Sequence, residues 1–172
     1  MRKIHLLLIC VFFSFIFIVF YLSLQNPKNY DTEDLIGKKI TELELNLFGK
    51  DGTFNTKEIS NYQFTLLNFW ASWCLPCRKE HKNLIQLSKN KNLKIIGINF
   101  KDDEINAKIF LKEMGNPFYI LTKDLKGKKS VHFGVYGIPE TILVNRELTI
   151  LKKYIGPLSS RDVNQIGKLI KK

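Results

Sequence analysis

Apolar residues along this chain collect into runs of different lengths, and the lengths separate the elements. From Leu6 to Leu24 the run LLLICVFFSFIFIVFYLSL holds no charge over 19 residues. At about 1.5 Å per residue such a helix is roughly 28 Å long, close to the bilayer core of about 30 Å. Phe64–Trp70 (FTLLNFW) and Leu93–Asn99 (LKIIGIN) are short, near-continuous apolar runs, the pattern of strands buried in a parallel sheet. Between them, Cys74 to about Lys89 repeats apolar residues at Cys77, Leu84, Ile85 and Leu87, a helical stripe. A second helix is predicted from about Asp103 to Met114, with Ile105, Ile109, Phe110 and Met114 on one face and Gly115-Asn116-Pro117 as its stop. Phe118–Leu121 then reads as a strand, Thr141–Asn145 and Thr149–Ile155 as a hairpin about N-R-E-L, and Ser159 to the end as a last helix. Ser159 with Asp162 forms a capping-box pattern at its start. This alternation predicts one α/β layer domain with a parallel part and a closing antiparallel hairpin.

The long run sets the organisation. It lacks the shorter apolar core and A-x-A-like site of a cleaved signal, since Tyr21, Leu22 and Leu24 fill its end. Residues 5–24 are therefore predicted to be an uncleaved transmembrane anchor, 25–34 (QNPKNYDTED from Gln25) a polar tether, and 35–172 one domain. Arg2 and Lys3 precede the span, so the positive-inside rule puts the N-terminus in the cytoplasm and the domain on the outer side. Cys10 lies in the span after Leu-Leu-Ile, without the small residue of a lipoprotein site, and reads as an apolar filler. His5 falls at the cytoplasmic interface.

Charge changes the picture little. The formal net charge is +11, from 27 basic and 16 acidic residues, but the lysines are spread along the chain. No basic cluster interleaved with aromatic platforms marks a nucleic-acid surface, and nucleic acid is not expected as a partner. Three cysteines cannot make a disulfide framework, so a disulfide here is expected to do chemistry.

The chemistry concentrates in W-A-S-W-C-L-P-C-R-K-E-H, Trp70–His81. Cys74 falls where the strand Phe64–Trp70 hands over to a helix. Free N–H groups and the helix dipole at that point favour a thiolate. Cys77, one turn on, is placed to be more buried and to attack second, and Pro76 suits the first helical turn. Zinc would have only His81 and His132 to add to the two cysteines in this domain, so no metal is expected. Arg78 follows Cys77 where c-type haem attachment requires a His. A disulfide closing so short a loop adds little stability, which argues against a purely structural bridge. A dithiol–disulfide exchanger is the reading that remains, with Cys74 as nucleophile and Cys77 as resolving thiol.

W-A-S-W-C-L-P-C resembles the thioredoxin superfamily, and G-V-Y-G-I-P-E-T (Gly134–Thr141) is similar to its second signature. With C-R-K-E-H and G-I-N-F-K-D-D-x₆-F-L-K-E-M-G-N-P, the chain over roughly 35–160 resembles the membrane-anchored CcmG/DsbE reductases of cytochrome c maturation. The resemblance implies a thioredoxin-like fold, a central mixed β-sheet flanked by helices, behind the N-terminal transmembrane helix. It implies a cis Ile138–Pro139 bond opposite Cys74, with the Ile138 backbone pairing to a substrate strand. Thioredoxins proper carry an Asp where this chain has Asn68, and the family's acidic surround falls on Glu80, three residues after Cys77, and Glu140, beside Pro139. Trp73 and Tyr136 are expected to border the groove, Arg78 its rim, and His132 to be structural. The implied activity is a periplasmic thiol:disulfide reductase of the inner membrane, with the Cys74–Cys77 disulfide and no other cofactor. Implied partners are apocytochrome c or its CcmH-type thiol carrier, and a DsbD/CcdA-type membrane donor. A general extracytoplasmic thioredoxin of the ResA/TlpA kind and a copper-binding chaperone using Cys74, Cys77 and His132 are the rival readings. Glu140 speaks against the first and the two-residue cysteine spacing against the second. Leu75-Pro76 between the cysteines offers no His to the thiolate, so a potential nearer about −270 mV than −120 mV is expected. The family's Pro is missing from Gly37–Leu43, which leaves the start of the domain unassigned.

Overall fold

A computed structural model describes residues 2–25 and 35–171. The chain divides into two units, Met1–Asp31 and Thr32–Lys172. In the first, helix α1 (Arg2–Gln25) is long and apolar enough over Lys3–Gln25 to cross a membrane. From residue 3 to 25 its side chains, Cys10 included, are exposed apart from the half-buried Ile16. Residues 26–34 of the expected tether lie outside the described residues.

The second unit runs β1 (Glu44–Leu47), β2 (Thr53–Asn55), β3 (Phe64–Trp70), α2 (Leu75–Leu87), β4 (Leu93–Phe100), α3 (Glu104–Met114), β5 (Ile120–Asp124), α4 (Lys128–His132), β6 (Glu140–Asn145), β7 (Ile150–Ile155) and α5 (Ser160–Leu169). A short 3₁₀ helix, Thr56–Asn61, follows β2. The seven strands form one mixed sheet in the order β2-β1-β5-β4-β3-β6-β7. β3, β4 and β5 are parallel, while the β6–β7 hairpin and β1–β2 close the two sides antiparallel. The fold is thioredoxin-like: a mixed sheet with helices on its faces.

All seven residues of β3 are buried because it lies between β4 and β6 with a covered face on each side. Leu66 and Trp70 join the core under α2, α3 and α5, whereas Leu67 and Phe69 join the core beneath Ile40, Phe54, Ile59 and Phe133. Successive strand residues point to opposite faces, so Asn68 shares the face of Leu66 and Trp70. That face carries the site.

The structure corrects two patterns. On α3 the buried residues are Ala107 and Phe110, whereas Ile105 is 69% and Ile109 48% exposed. Phe110 and the half-buried Met114 of the expected face do meet the core, whereas Ile105 and Ile109 lie roughly 100–140° round from Phe110 and face outward. Phe118 precedes β5 instead of opening it. Its ring stacks on Trp70 at 5.3 Å and passes so close to Gly97 of β4 that a Cβ there would meet it at 2.7 Å. The hairpin β1–β2 and helix α4 are short elements that the apolar pattern did not mark. The Ser159 cap with Asp162 forms as its spacing predicts.

Candidate active site

The chain leaves β3 at Trp70 and must place Cys74 at the start of α2. Asp102 fixes that crossing: its carboxylate accepts from Ser72 N at 2.6 Å, Ser72 Oγ at 2.7 Å and Asn99 Nδ2 at 2.8 Å. Trp73 Nε1 donates to Lys101 O at 3.0 Å, holding the indole at the surface with 58% exposure. Cys74 is then the N-cap residue of α2, and Cys77 N donates to its Sγ at 3.1 Å. An amide that caps a sulfur here also stabilises a thiolate when the bond is reduced. Pro76 lies in the first turn, where its missing N–H costs nothing. Cys74 and Cys77 form a disulfide with Cα atoms 5.3 Å apart. In this oxidised form both residues are buried, so exposure does not separate their roles; the cap position does.

Glu80 was expected on the face of Cys77, and it is 1% exposed. Its Oε1 accepts from Asn68 Nδ2 at 2.9 Å and its Oε2 from Leu158 N at 2.7 Å. Asn83, also inward on α2, donates to Leu158 O at 2.7 Å, so α2 holds both backbone groups of Leu158. Burial lifts the Glu80 carboxyl to about 7, and the hydrogen bonds from Leu158 and Asn68 hold it from going higher. Asn68 spends both amide hydrogens, one on Glu80 and one on Thr141 Oγ1 at 3.0 Å, while its Oδ1 stays buried without a partner. Tyr154, opposite Thr141 on β7, is pushed up to about 12 by burial and then by Asp162, and stays neutral.

The opposite face carries Glu140, which pairs with Phe69 in register. Lys153 Nζ lies 2.7 Å from Glu140 Oε2, and Tyr136 N and Gly137 N each donate to Oε1 at 3.2 Å. Glu140, expected in the acidic surround of the thiols, thus stands paired. Its charge is met by a buried ammonium. The Ile138–Pro139 bond is cis, and the Phe69–Glu140 register sets Pro139 at the end of the sheet where the chain departs for Cys74. Ile138 is half-buried against both cores, and Tyr136 is 69% exposed.

The remaining residues fall outside the centre. Arg78 sits over the Phe110 ring at 4.7 Å and 3.6 Å from Glu113. His81 is buried, its Nε2 donating to Gly115 O at 2.8 Å, and burial holds its pKa below the ordinary 6.5. His132, expected to be structural, is exposed at the end of α4. Among the described residues no group of three or more His, Cys, Asp or Glu side chains is placed to hold a metal. Sequence reasoning missed Asp102, Asn83 and Lys153. Asp102 had a signal, since Asp103 caps α3 through Ile105 N and Asn106 N and leaves its neighbour free for another task.

A cysteine pair bridging the first turn of a helix on this mixed sheet defines the class of thioredoxin-like thiol:disulfide oxidoreductases. Residues 35–170 match the redoxin family. HelX of Rhodobacter capsulatus, a thiol:disulfide interchange protein, is 40% identical over 135 residues, 78% of this chain and 76% of that one. DsbE of Haemophilus influenzae is 33% identical over 177 aligned positions, covering 99% and 96%. The crystal structure of a DsbE-type interchange protein from Chlorobium tepidum superposes with a TM-score of 0.68 at 26% identity, covering 79% of this chain and 95% of that chain. The chain belongs to the redoxin family, among its DsbE-type thiol:disulfide interchange proteins, and is a thiol:disulfide oxidoreductase with thiol-based redox partners.

Proposed function

We propose that the Cys74–Cys77 pair is a redox-active dithiol that reduces substrate disulfides, with Glu80 as the acceptor of the resolving thiol's proton. In the reduced protein the Cys74 thiolate attacks one sulfur of a substrate disulfide. That S–S bond breaks, a mixed disulfide forms, and the first substrate sulfur leaves as a thiolate. Cys77 gives its proton to Glu80, and its thiolate attacks Cys74 Sγ. The second substrate sulfur leaves and takes up a proton, the Cys74–Cys77 bond forms, and two electrons have passed to substrate. The protein then stands oxidised until a membrane dithiol donor of the DsbD/CcdA type reduces it.

The observation that carries this reading is the buried Glu80 carboxyl, on the inward face of α2 with Cys77 and lifted to about 7. A proton acceptor works best with a pKa near the working pH, and a carboxyl held by two neutral donors can take a proton and release it again. Ile138 and Pro139 form the substrate edge, with Trp73 and Tyr136 exposed as apolar surface around it.

The substrate class follows the relatives' family: the haem-binding cysteine pair of apocytochrome c, or the CcmH-type carrier of it, in cytochrome c maturation. Helix α1 supports an inner-membrane anchor with the redox domain in the periplasm. The experiment is trapping. Cys77→Ser expressed in cells leaves the mixed disulfide unresolved, and its partner is identified by mass spectrometry. Apocytochrome c or its thiol carrier is the expected partner. Capture mainly of newly secreted proteins awaiting disulfides overturns the reductase assignment.

A further inference from the structure

Strand β7 contains a lysine in a position built for an apolar side chain. Lys153 pairs in register with Ile142, whose own side chain is in the core with Leu67 and Phe69. The Lys153 side chain is 0% exposed. An ammonium removed from water is strongly destabilising unless it is paired and hydrogen-bonded, so such a residue persists only where its contacts offset that cost. Two of its contacts lead to one segment. Nζ lies 2.7 Å from Glu140 Oε2 and donates to Gly134 O at 2.6 Å. Glu140 Oε1 in turn receives Tyr136 N and Gly137 N.

The two side chains therefore hold Gly134–Gly137 at three backbone points: the ammonium takes its one carbonyl and the carboxylate its two amides. Phe133 and Val135 are buried, so this segment is rooted inward, whereas Tyr136 and Gly137 are exposed. Ile138 and Pro139 follow directly. The ion pair stands on the sheet face opposite Asn68 and Glu80, because Glu140 and Thr141 are successive residues of β6.

We infer that Lys153 is a positioning residue for substrate docking: with Glu140 it sets the stance of the Tyr136–Pro139 edge, and so decides how well a polypeptide disulfide is held, as distinct from how its sulfurs react. This rests on the reading that substrate lies along Ile138–Pro139. A small disulfide has no backbone to lay along that edge and depends on the thiols alone. A polypeptide disulfide needs both. Lysine and arginine satisfy the pair, whereas methionine fills the volume and leaves Glu140 facing the amides without its cation.

The test uses the reduced full-length protein in detergent, as wild type, Lys153→Met and Lys153→Arg. Each is assayed with a small aromatic disulfide and with a peptide carrying an oxidised C-x-x-C pair. Lys153→Met is expected to lose about tenfold more rate on the peptide than on the small disulfide, the scale of a modest misplacement at a docking edge, with the loss in KM. Lys153→Arg is expected to recover most of it. If Lys153→Met does not fold, the double variant Glu140→Gln/Lys153→Met removes both charges together and carries the same comparison. Equal losses on the two substrates, or no loss on the peptide, overturn the inference. A wild type that leaves the peptide oxidised overturns the reductase reading instead, which keeps the two failures distinct.

Discussion

Glu80 and Glu140 are both buried acids within a few residues of the active-site elements, and the two faces of the sheet treat them in opposite ways. On the α2 face Glu80 meets only neutral donors, the amide of Asn68 and the peptide of Leu158. On the other face Glu140 meets the buried ammonium of Lys153 and two backbone amides. The first arrangement leaves the proton negotiable, since neither partner requires a full negative charge. The second sets the carboxylate between a cation and two backbone amides and uses it as a mooring. A sequence shows two glutamates beside a C-x-x-C pair; the partner decides which one meets neutral donors and which one meets a cation.

Breaking the fixed side is expected to cost most. Glu140→Gln strands a buried ammonium, and removal of one member of a buried ion pair costs about 3–5 kcal/mol. Glu80→Gln is expected to cost less, about 1–3 kcal/mol, because Asn68 has a buried Oδ1 without a partner and its amide can turn to receive the new donor. Urea unfolding of the two variants side by side measures the difference, and equal costs would erase the distinction.

The next effect is the pH dependence of stability. Glu80 titrates near 7 in the folded protein against an ordinary 4.5, so between those values the folded state holds a proton that the unfolded state has released. Stability from this group is therefore full below about 4.5 and falls as pH rises through about 7, by roughly 3 kcal/mol in all. His81 runs the other way: its folded pKa lies below 6.5, so the unfolded state binds more protons and stability falls as pH drops. The wild-type curve mixes the two. Subtracting the Glu80→Gln curve from it isolates the carboxyl, and the difference is expected to slope downward from about pH 4.5 to 7. A flat difference removes the raised pKa from the account.

A smaller change sharpens the same side. Asn68→Ala deletes a hydrogen bond to the ionised carboxylate and is expected to raise the Glu80 midpoint by about one pH unit, read by carboxyl-carbon NMR. Arg78→Ala is expected to be smallest, within about 1 kcal/mol and without effect on that midpoint, because its guanidinium sits over Phe110 and beside Glu113 at a partly exposed edge.

These contrasts also show what a sequence can carry. The central strands, the redox pair and the last helix cap were legible because each rests on a local pattern: a continuous apolar run, a cysteine spacing before a helical stripe, a Ser with an Asp three residues on. Glu80 was legible as a position on a helix face, but its burial depends on Asn68 from β3 and Leu158 from beyond β7, both distant in sequence. Lys153 was hidden by its neighbour, since Lys152 and Lys153 stand together and only the strand register tells which one points inward. Ile105 and Ile109 misled because an apolar stripe shows only that a helix is amphipathic in composition, and small Ala107 met the core beside Phe110 in their place.

The central claim is that Glu80 takes the proton of Cys77, and the pH profile of the resolving step tests it most directly. A mixed disulfide between Cys74 and a small thiol is prepared, and its release by Cys77 is followed from pH 5 to 10 in wild type and Glu80→Gln. The wild-type rate is expected to rise with an inflection near 7, where the carboxyl becomes able to accept, and the Glu80→Gln rate to rise only near the ordinary thiol value of about 8.5. Superimposable profiles would contradict the claim and return Glu80 to a structural role.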